Sequence, residues 1–465
     1  MIRSLNLNKL LSRFGGQVIN NGNDIGFTAV SINTREINAG DIFVAIKGDR
    51  FDGHDFVHGA QVQGAVALVV EKEIIDSDLP QWIVDDTTLA LADIAKAQRD
   101  NFLGKIVAIT GSSGKTTVKG MLYSMLRAAV GDDVFATKGN LNNHLGVPLS
   151  LLSIQANHRY AVIEMGASAV GEIEYLTQIA RPHVAMINNV MSAHVEGFGS
   201  IDNIAKGKGE IYNGLSDNGI AVINAADKYA PQWIRSNEQR HTLLFADDAT
   251  VKADVTAHNI KQQYNGCASL DLQLVDQKAA INLSVLGMHN VANALAASTC
   301  AHALDISIAD IAKGLAAFTG VAGRLQCIEG MNDSTVIDDS YNANPNSFCA
   351  AIDVLSDMSA TTILIMGDMA ELGEESDKEH QHIGEYASEK HVDLLLSIGK
   401  QSEKASAAFS GKKQHFTSIE KLIAVAAQQA NENTVLLIKG SRSSRMDRVV
   451  EALTQRGDIN ASLAG

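Results

Sequence analysis

The chain has 465 residues, 46% apolar and 20% charged, which fits a soluble globular protein of roughly two to four domains. Its 38 basic and 53 acidic side chains leave a formal net charge of −15, arguing against a nucleic-acid groove or a membrane-surface role while permitting an anionic ligand held by backbone amides. No apolar run reaches the ~18 residues needed to cross a bilayer, and four cysteines without CxxC spacing rule against a zinc ribbon or redox dithiol, so reduced thiols in a cytosolic protein are expected.

The opening MIRSLNLNKLLSRFGG sets Arg3, Lys9 and Arg13 among leucines, yet it lacks the apolar core and cleavage site of a signal peptide. It reads as an amphipathic helix stopped by Gly15 and Gly16. Residues 31–55 are rich in Gly and Asp around one strand, DIFVAI. The run DDTTLALADIAKAQRD then begins a helix, which puts a domain boundary near 85. From there, apolar runs without polar alternation recur: IVAIT (106–110), AVIEMG (161–166), VAMINNV (184–190), IAVINA (220–225), TILIMGD (362–368), LLLSIG (394–399) and TVLLIKG (434–440). Strands buried on both faces look like this, and helical stretches between several of them predict α/β architecture with parallel sheets. FTGVAGRLQ interrupts the helical pattern and sets a second boundary near 320. The expected units are 1–84, 85–320 and 321–465.

The first clear chemistry is at Gly111-Ser112-Ser113-Gly114-Lys115-Thr116-Thr117, between the strand IVAIT and a following helix. Glycines let successive N–H groups turn inward, and the helix N-terminus adds partial positive charge, so the segment suits phosphate. Lys115 would reach the β- and γ-phosphates and the Thr116 hydroxyl would bind magnesium. The long form of this motif has an outer glycine where Ile109 stands, so the loop is a shortened variant. By itself it implies a nucleotide and no particular reaction.

Glu164 ends AVIEMG, His194 follows VAMINNV, and Lys208 lies in AKGKGEIY. Ligands gather at strand ends along one edge of a parallel sheet, where a carboxylate and an imidazole could hold a second divalent ion. Taken singly, each has a plainer reading: a solvated loop glutamate, a structural histidine, a surface lysine.

Together, TGSSGKTTVK, GNLNNHLGVPLSLL, VIEMGAS, NNVMSAHVEGFGS, AKGKGEIY, GMHNVANALAA, GRLQ, DDSYNANPNS, GDMAELGEES and KGSRSSRMD resemble the Mur ligases, in order and over the whole chain. The resemblance implies an N-terminal α/β domain that grips a UDP-linked precursor, a central P-loop ATPase domain and a C-terminal Rossmann-like domain that closes over ATP. It matches Ser31, Thr34, Arg35, Lys47 and Gly48 to the uridine segment, with Asn33 standing where the family usually has an acidic residue. It matches Glu164 and His194 to metal ligands, partners of two Mg²⁺, and Lys208 to a lysine carried as a carbamate. His289, Asn290 and Asn293 match the adenine motif, and Arg324 and Asp339 match C-terminal residues that reach the nucleotide. Asn342, Asn344 and Pro345 match the segment of the member that adds D-alanyl-D-alanine to a UDP-N-acetylmuramoyl-tripeptide. The implied catalytic set is Lys115, His194 and Lys208, in a cytoplasmic monomer. A sibling that adds the third residue would carry a DNPR-like segment, which is absent, and a folate-extending sibling would not need the 31–55 region. A nucleotide switch would not require Glu164, His194 and Lys208 together, and a P-loop kinase would lack an amine-dependent step.

Overall fold

The structure, a computed structural model, describes residues 1–20, 26–191, 195–248, 250–263 and 266–454. The first helix, Leu7–Phe14, starts where the Asn6 side chain accepts the Lys9 N–H and ends at Gly15, which takes a φ of 81°. Leu7 and Leu10 are its buried residues, so the amphipathic reading holds. The helix leads into a five-stranded sheet ordered Gln17–Ile19, Gln81–Ile83, Ala67–Val70, Asp41–Val44 and Ala29–Ser31, parallel except for its first pair.

The helix Thr87–Arg99 follows, capped by the Asp86 carboxylate, which accepts the Thr88 and Leu89 N–H groups. Its Leu91, Ile94 and Ala95 lie in one apolar core with Ile42 and Val44 of the first sheet and with Ile106 and Ile163 of the next. This helix therefore joins the first two sheets through side-chain packing.

The middle sheet has nine strands. Seven are parallel: Val134–Ala136, Tyr160–Glu164, Lys105–Thr110, Val184–Ile187, Ile220–Asn224, His241–Ala246 and Val255–Gln262. The apolar runs at 106–110, 161–166, 184–190 and 220–225 supply its central strands, and those at 362–368, 394–399 and 434–440 supply the last sheet. At one side the sheet continues as an antiparallel pair, Cys267–Leu274 and Gln277–Leu286, whose alternating burial is the mark of a half-exposed ribbon. Helices Lys115–Val130, His289–His302 and Ile308–Ala317 cover one face of this sheet.

The last sheet has six strands ordered Gln326–Glu329, Thr335–Asp339, Thr434–Lys439, Thr361–Gly367, Leu394–Ile398 and Lys412–Phe416, parallel but for the first pair. Between the two larger sheets the chain turns through Gly320, Gly323 and Leu325, all with positive φ. Cys267 and Leu286 of the middle sheet pack with Phe348, Ile352 and Leu355 of the helix Pro345–Ser356, which seats the last layer against the middle one. None of the described helices is long and apolar enough to cross a membrane.

Candidate nucleotide site

The strand Lys105–Thr110 delivers residues 111–114 to the helix Lys115–Val130. Gly114 has a φ of 77°, and a Cβ there would come within 2.4 Å of Asn293 Oδ1 and 2.5 Å of Asn188 Nδ2. Only glycine meets both demands. The loop is held from the neighbouring strand end. Asn189 accepts the Ser112 N–H on its carbonyl at 3.0 Å and the Ser113 N–H on its side chain at 2.9 Å. Asn188 donates its amide to the Ser113 carbonyl at 3.0 Å and to Asn293 Oδ1 at 2.9 Å. Asn293 donates to Asn290 Oδ1 at 2.7 Å, and Asn290 to the Leu286 carbonyl at 2.7 Å. A chain of amides therefore runs from the phosphate loop to the helix His289–His302.

Ser112 to Thr117, His289, Asn290, Asn293, Arg324, Asp339, Asn342 and Asn344 all line one cavity of about 560 Å³ between the middle and last sheets. Gly111 lies behind it and its carbonyl accepts the Lys115 ammonium at 2.7 Å. Burial lowers the Lys115 pKa and the charge of Arg324 adds to this, while Glu164 opposes both. Asp339 accepts the Leu325 N–H at 3.2 Å and pairs with the buried Lys439 ammonium, which also donates to the Asn342 carbonyl at 3.1 Å. The Arg324 guanidinium lies 4.3 Å from the Tyr341 ring centroid.

Glu164 is 2% exposed at the end of its strand. Its Oε1 accepts from Asn142 at 2.8 Å and its Oε2 lies 3.0 Å from the Lys119 ammonium. Burial alone would raise this carboxyl's pKa, but Lys119, Lys115 and Asn142 together bring it below the ordinary value. Lys208 is 1% exposed, with its ammonium 5.8 Å from the centroid of the Phe198 ring. Burial, with the charge of Lys115, holds its pKa well below that of a free lysine. The plain reading of Lys208 as a surface residue is therefore corrected, since the helix Ile201–Gly209 turns it inward. His194 lies outside the described residues.

Ser31, Thr34, Arg35, Lys47 and Gly48 are not in this cavity. Ser31 ends a strand of the first sheet and the other four follow its strands Ala29–Ser31 and Asp41–Val44, which are parallel neighbours, so both segments leave the same sheet edge. Ser31 Oγ donates to the Asn33 carbonyl at 2.8 Å, and the Asn33 side chain accepts the Arg35 N–H at 3.1 Å. Asparagine caps this turn as an aspartate would, so the departure at Asn33 leaves the local fold intact. Lys47 bridges to Asp52, and the Gly48 N–H donates to the Phe51 carbonyl at 3.0 Å.

Sequence reasoning passed over Lys119, Asn142, Asn188, Asn189 and Lys439. Lys119 had one signal: it is four residues beyond Lys115, on the same helix face. The two asparagines had another, as a polar pair ending an apolar strand.

Three family models match the chain: "Mur ligase family, catalytic domain" over residues 26–99, "Mur ligase middle domain" over 109–301, and "Mur ligase, glutamate ligase domain" over 323–442. The chain is 42% identical over 459 residues to the UDP-N-acetylmuramoyl-tripeptide–D-alanyl-D-alanine ligase of Escherichia coli, covering 98% of this chain and 99% of that protein. It is 31% identical over 440 residues to the enzyme of the same name from Bacillus subtilis, covering 92% and 93%. Among solved structures, MurF from Acinetobacter baumannii superposes with a TM-score of 0.90 at 33% identity, covering 97% of this chain and 99% of that one. MurF ligase from Thermotoga maritima in complex with ADP gives 0.80 at 32%, covering 91% and 96%. A Mycobacterium tuberculosis folylpolyglutamate synthase, at 16% identity and a TM-score of 0.62 over 78% of this chain and 93% of that one, shares the fold.

Proposed function

The chain belongs to the Mur ligase family, and we propose that it is an ATP-dependent, ADP-forming ligase that joins D-alanyl-D-alanine to the peptide carboxylate of a UDP-N-acetylmuramoyl-tripeptide in peptidoglycan precursor synthesis. The observation that carries the chemistry is the shared cavity, which sets the phosphate loop and the C-terminal residues Arg324 and Asp339 around one space.

The peptide carboxylate attacks the γ-phosphorus of ATP, giving an acyl phosphate and ADP. The neutral amine of the dipeptide then attacks the acyl carbon, and phosphate leaves. Two anions meet in the first step, so positive charge is the main requirement. Lys115, anchored by the Gly111 carbonyl, and the first-turn N–H groups of the helix Lys115–Val130 supply it at the γ-phosphate end. Arg324 brings a second fixed cation to the same cavity. His289, Asn290 and Asn293 are assigned to the base, and Asn342 and Asn344 to the acceptor side. The first sheet, with Ser31, Thr34, Arg35, Lys47 and Gly48, is assigned to the uridine end. As functional units we take 1–84, 85–320 and 321–465, in a cytoplasmic monomer whose last unit closes to keep water from the acyl phosphate.

Magnesium, when bound, would offset charge on the transferring phosphoryl group. Of the donors assigned to it, the Thr116 hydroxyl is on the cavity wall, whereas the ionised Glu164 carboxylate lies behind that wall with its oxygens held by Asn142 and Lys119, so it would have to exchange Lys119 for the ion. A bare Lys208 ammonium does not fit beside a cation, whereas its carbamate would. Burial favours the neutral ε-amine, the form that can add carbon dioxide, forming an N–C bond and releasing a proton to solvent. A carbamate signal after growth with ¹³C-bicarbonate tests this, and its absence from active enzyme rejects it.

Phosphate release measured with UDP-N-acetylmuramoyl-tripeptide, with and without D-alanyl-D-alanine, tests the activity. Release that ignores the dipeptide rejects the assignment. Solution scattering tests closure, since profiles unchanged by nucleotide and UDP-substrate would refute it.

A further inference from the structure

One wall of the cavity is a loop with little regular structure to hold it. Residues 368–376 lead from the strand Thr361–Gly367 to the helix Ser376–Glu389 through a single short turn, Gly373–Glu375. Ala370, Glu371, Leu372 and Glu375 line the same cavity as the phosphate loop. Glu371 and Gly373 have φ values of 64° and 56°, in the left-handed region. Glycine takes such a torsion freely, but at Glu371 it persists only where the surroundings enforce it.

A single side chain joins the two ends of this loop. His380 is 0% exposed and stands one turn into the following helix. Its Nε2 accepts the Met369 N–H at 2.9 Å, and its Nδ1 lies 2.7 Å from the Ser376 carbonyl oxygen. Because Nε2 must accept, the ring proton belongs on Nδ1, which donates to Ser376. Only the neutral ring in that tautomer satisfies both bonds. Burial favours the neutral form, against the Ser376 carbonyl and the carboxylates of Asp368, Asp377 and Glu379.

The residue just before the loop is secured separately. The Asp368 carbonyl accepts the Ser441 N–H and the Ser444 hydroxyl, each at 2.9 Å, and its Oδ1 accepts the Ser402 N–H at 2.7 Å. With residue 368 fixed by neighbouring loops and Met369 and Leu372 packed on the apolar core of the last sheet, the backbone of 369–376 is tied at Met369 and Ser376. Both are held by the imidazole, which bonds to the wall's backbone and takes no part in the chemistry.

We propose that His380 is a positioning residue for the nucleotide: by bridging Met369 and Ser376, it keeps the 369–376 wall in the shape that ATP and ADP require. The inference rests on reading the cavity as the nucleotide site. The test is isothermal titration of the whole enzyme with ADP and, separately, with UDP-N-acetylmuramoyl-tripeptide. His380→Phe keeps the ring's bulk but strands the Met369 N–H and the Ser376 carbonyl, so ADP affinity should fall about tenfold or more. His380→Gln offers an acceptor and a donor and should recover most of that loss. Affinity for the UDP-substrate should stay within about twofold in both, because an intact fold leaves the first sheet untouched.

Should His380→Phe not fold, Gly373→Ala strains the same loop with no atom within 4 Å of the added Cβ, and the same selective loss of ADP is expected. Unchanged ADP affinity in a folded variant overturns the proposal. So does an equal loss of both ligands. Wild-type enzyme that binds the UDP-substrate but no ADP would instead overturn the nucleotide reading, so the two failures are distinguishable.

Discussion

Lys119 Nζ and Glu164 Oε2 lie 3.0 Å apart, and both side chains are almost wholly buried. Lys119 is one helical turn beyond Lys115, so a single helix presents one cation to the cavity and a second to the carboxylate behind it. The 3.3 Å bond from Lys119 to the Gly139 carbonyl ties in the segment that carries Asn142. Removing the cation would leave a buried carboxylate with the Asn142 amide and the charge of Lys115 but no ion-pair partner in contact. Lys119→Met should therefore lower stability by about 3–5 kcal/mol, and Lys119→Arg by less. Urea unfolding of the three proteins checks the order, and equal midpoints would show that the pair contributes nothing.

Gly114→Ala tests the phosphate loop without altering its polar groups. The left-handed torsion costs an alanine about 1–2 kcal/mol, and its Cβ would displace the Asn188–Asn293 bond as well. Affinity for ADP should drop by more than about tenfold, with binding of the UDP-substrate preserved. Calorimetry with each ligand decides. A variant that binds ADP normally would mean that the loop relaxes and that the close approach is not required.

The Asp339–Lys439 pair joins adjacent parallel strands at their carboxyl ends and is buried on both sides. Lys439→Met alone should cost about 3–5 kcal/mol, since Asp339 keeps its charge and loses its countercharge. The double variant Asp339→Leu with Lys439→Met should recover more than half of that stability yet remain inactive, because Asp339 belongs to the nucleotide cavity. Thermal melts and phosphate release, read together, separate the two roles. Recovered activity in the double variant would remove Asp339 from the site.

His183 predicts a pH effect on stability remote from the chemistry. Its Nδ1 accepts the Ile106 N–H at 3.0 Å, at the end of that strand away from the phosphate loop. Burial, with Arg99 and Lys105, lowers its pKa from 6.5 to about 4. The unfolded chain therefore binds this proton first, so the contribution is present in full above pH 6.5 and is lost as the pH falls towards 4. The loss is on the order of 3 kcal/mol at most. His183→Gln, which keeps an acceptor, should flatten the stability profile across that window. A variant whose acid profile matches the parent would assign the slope to other groups.

Much of the fold was legible because its signals are local. Buried parallel strands announce themselves as unbroken apolar runs, and the phosphate loop is contiguous, so strand, loop and helix could be placed without any tertiary information. The antiparallel pair at the sheet edge was missed for the opposite reason: CASLDLQL and QKAAINLSVL alternate because one face is wet, so neither forms an unbroken apolar run. The plain alternative of a surface Lys208 fails because helix amphipathicity describes an average face, whereas burying one ammonium depends on what packs against it.

The sequence by itself determined the nucleotide loop, the parallel α/β class and, through many short motifs in order, the family. Only the tertiary structure decided which charges meet. Asn188 and Asn293 are 105 residues apart in the chain, and Asp339 and Lys439 are 100 apart, yet each pair shares a hydrogen bond. Their proximity follows from strand order and from the docking of one sheet on another, neither of which any local pattern encodes. The physical reason is range: torsional preference and periodicity act over a few residues, while a buried charge takes its properties from every group that excludes water around it.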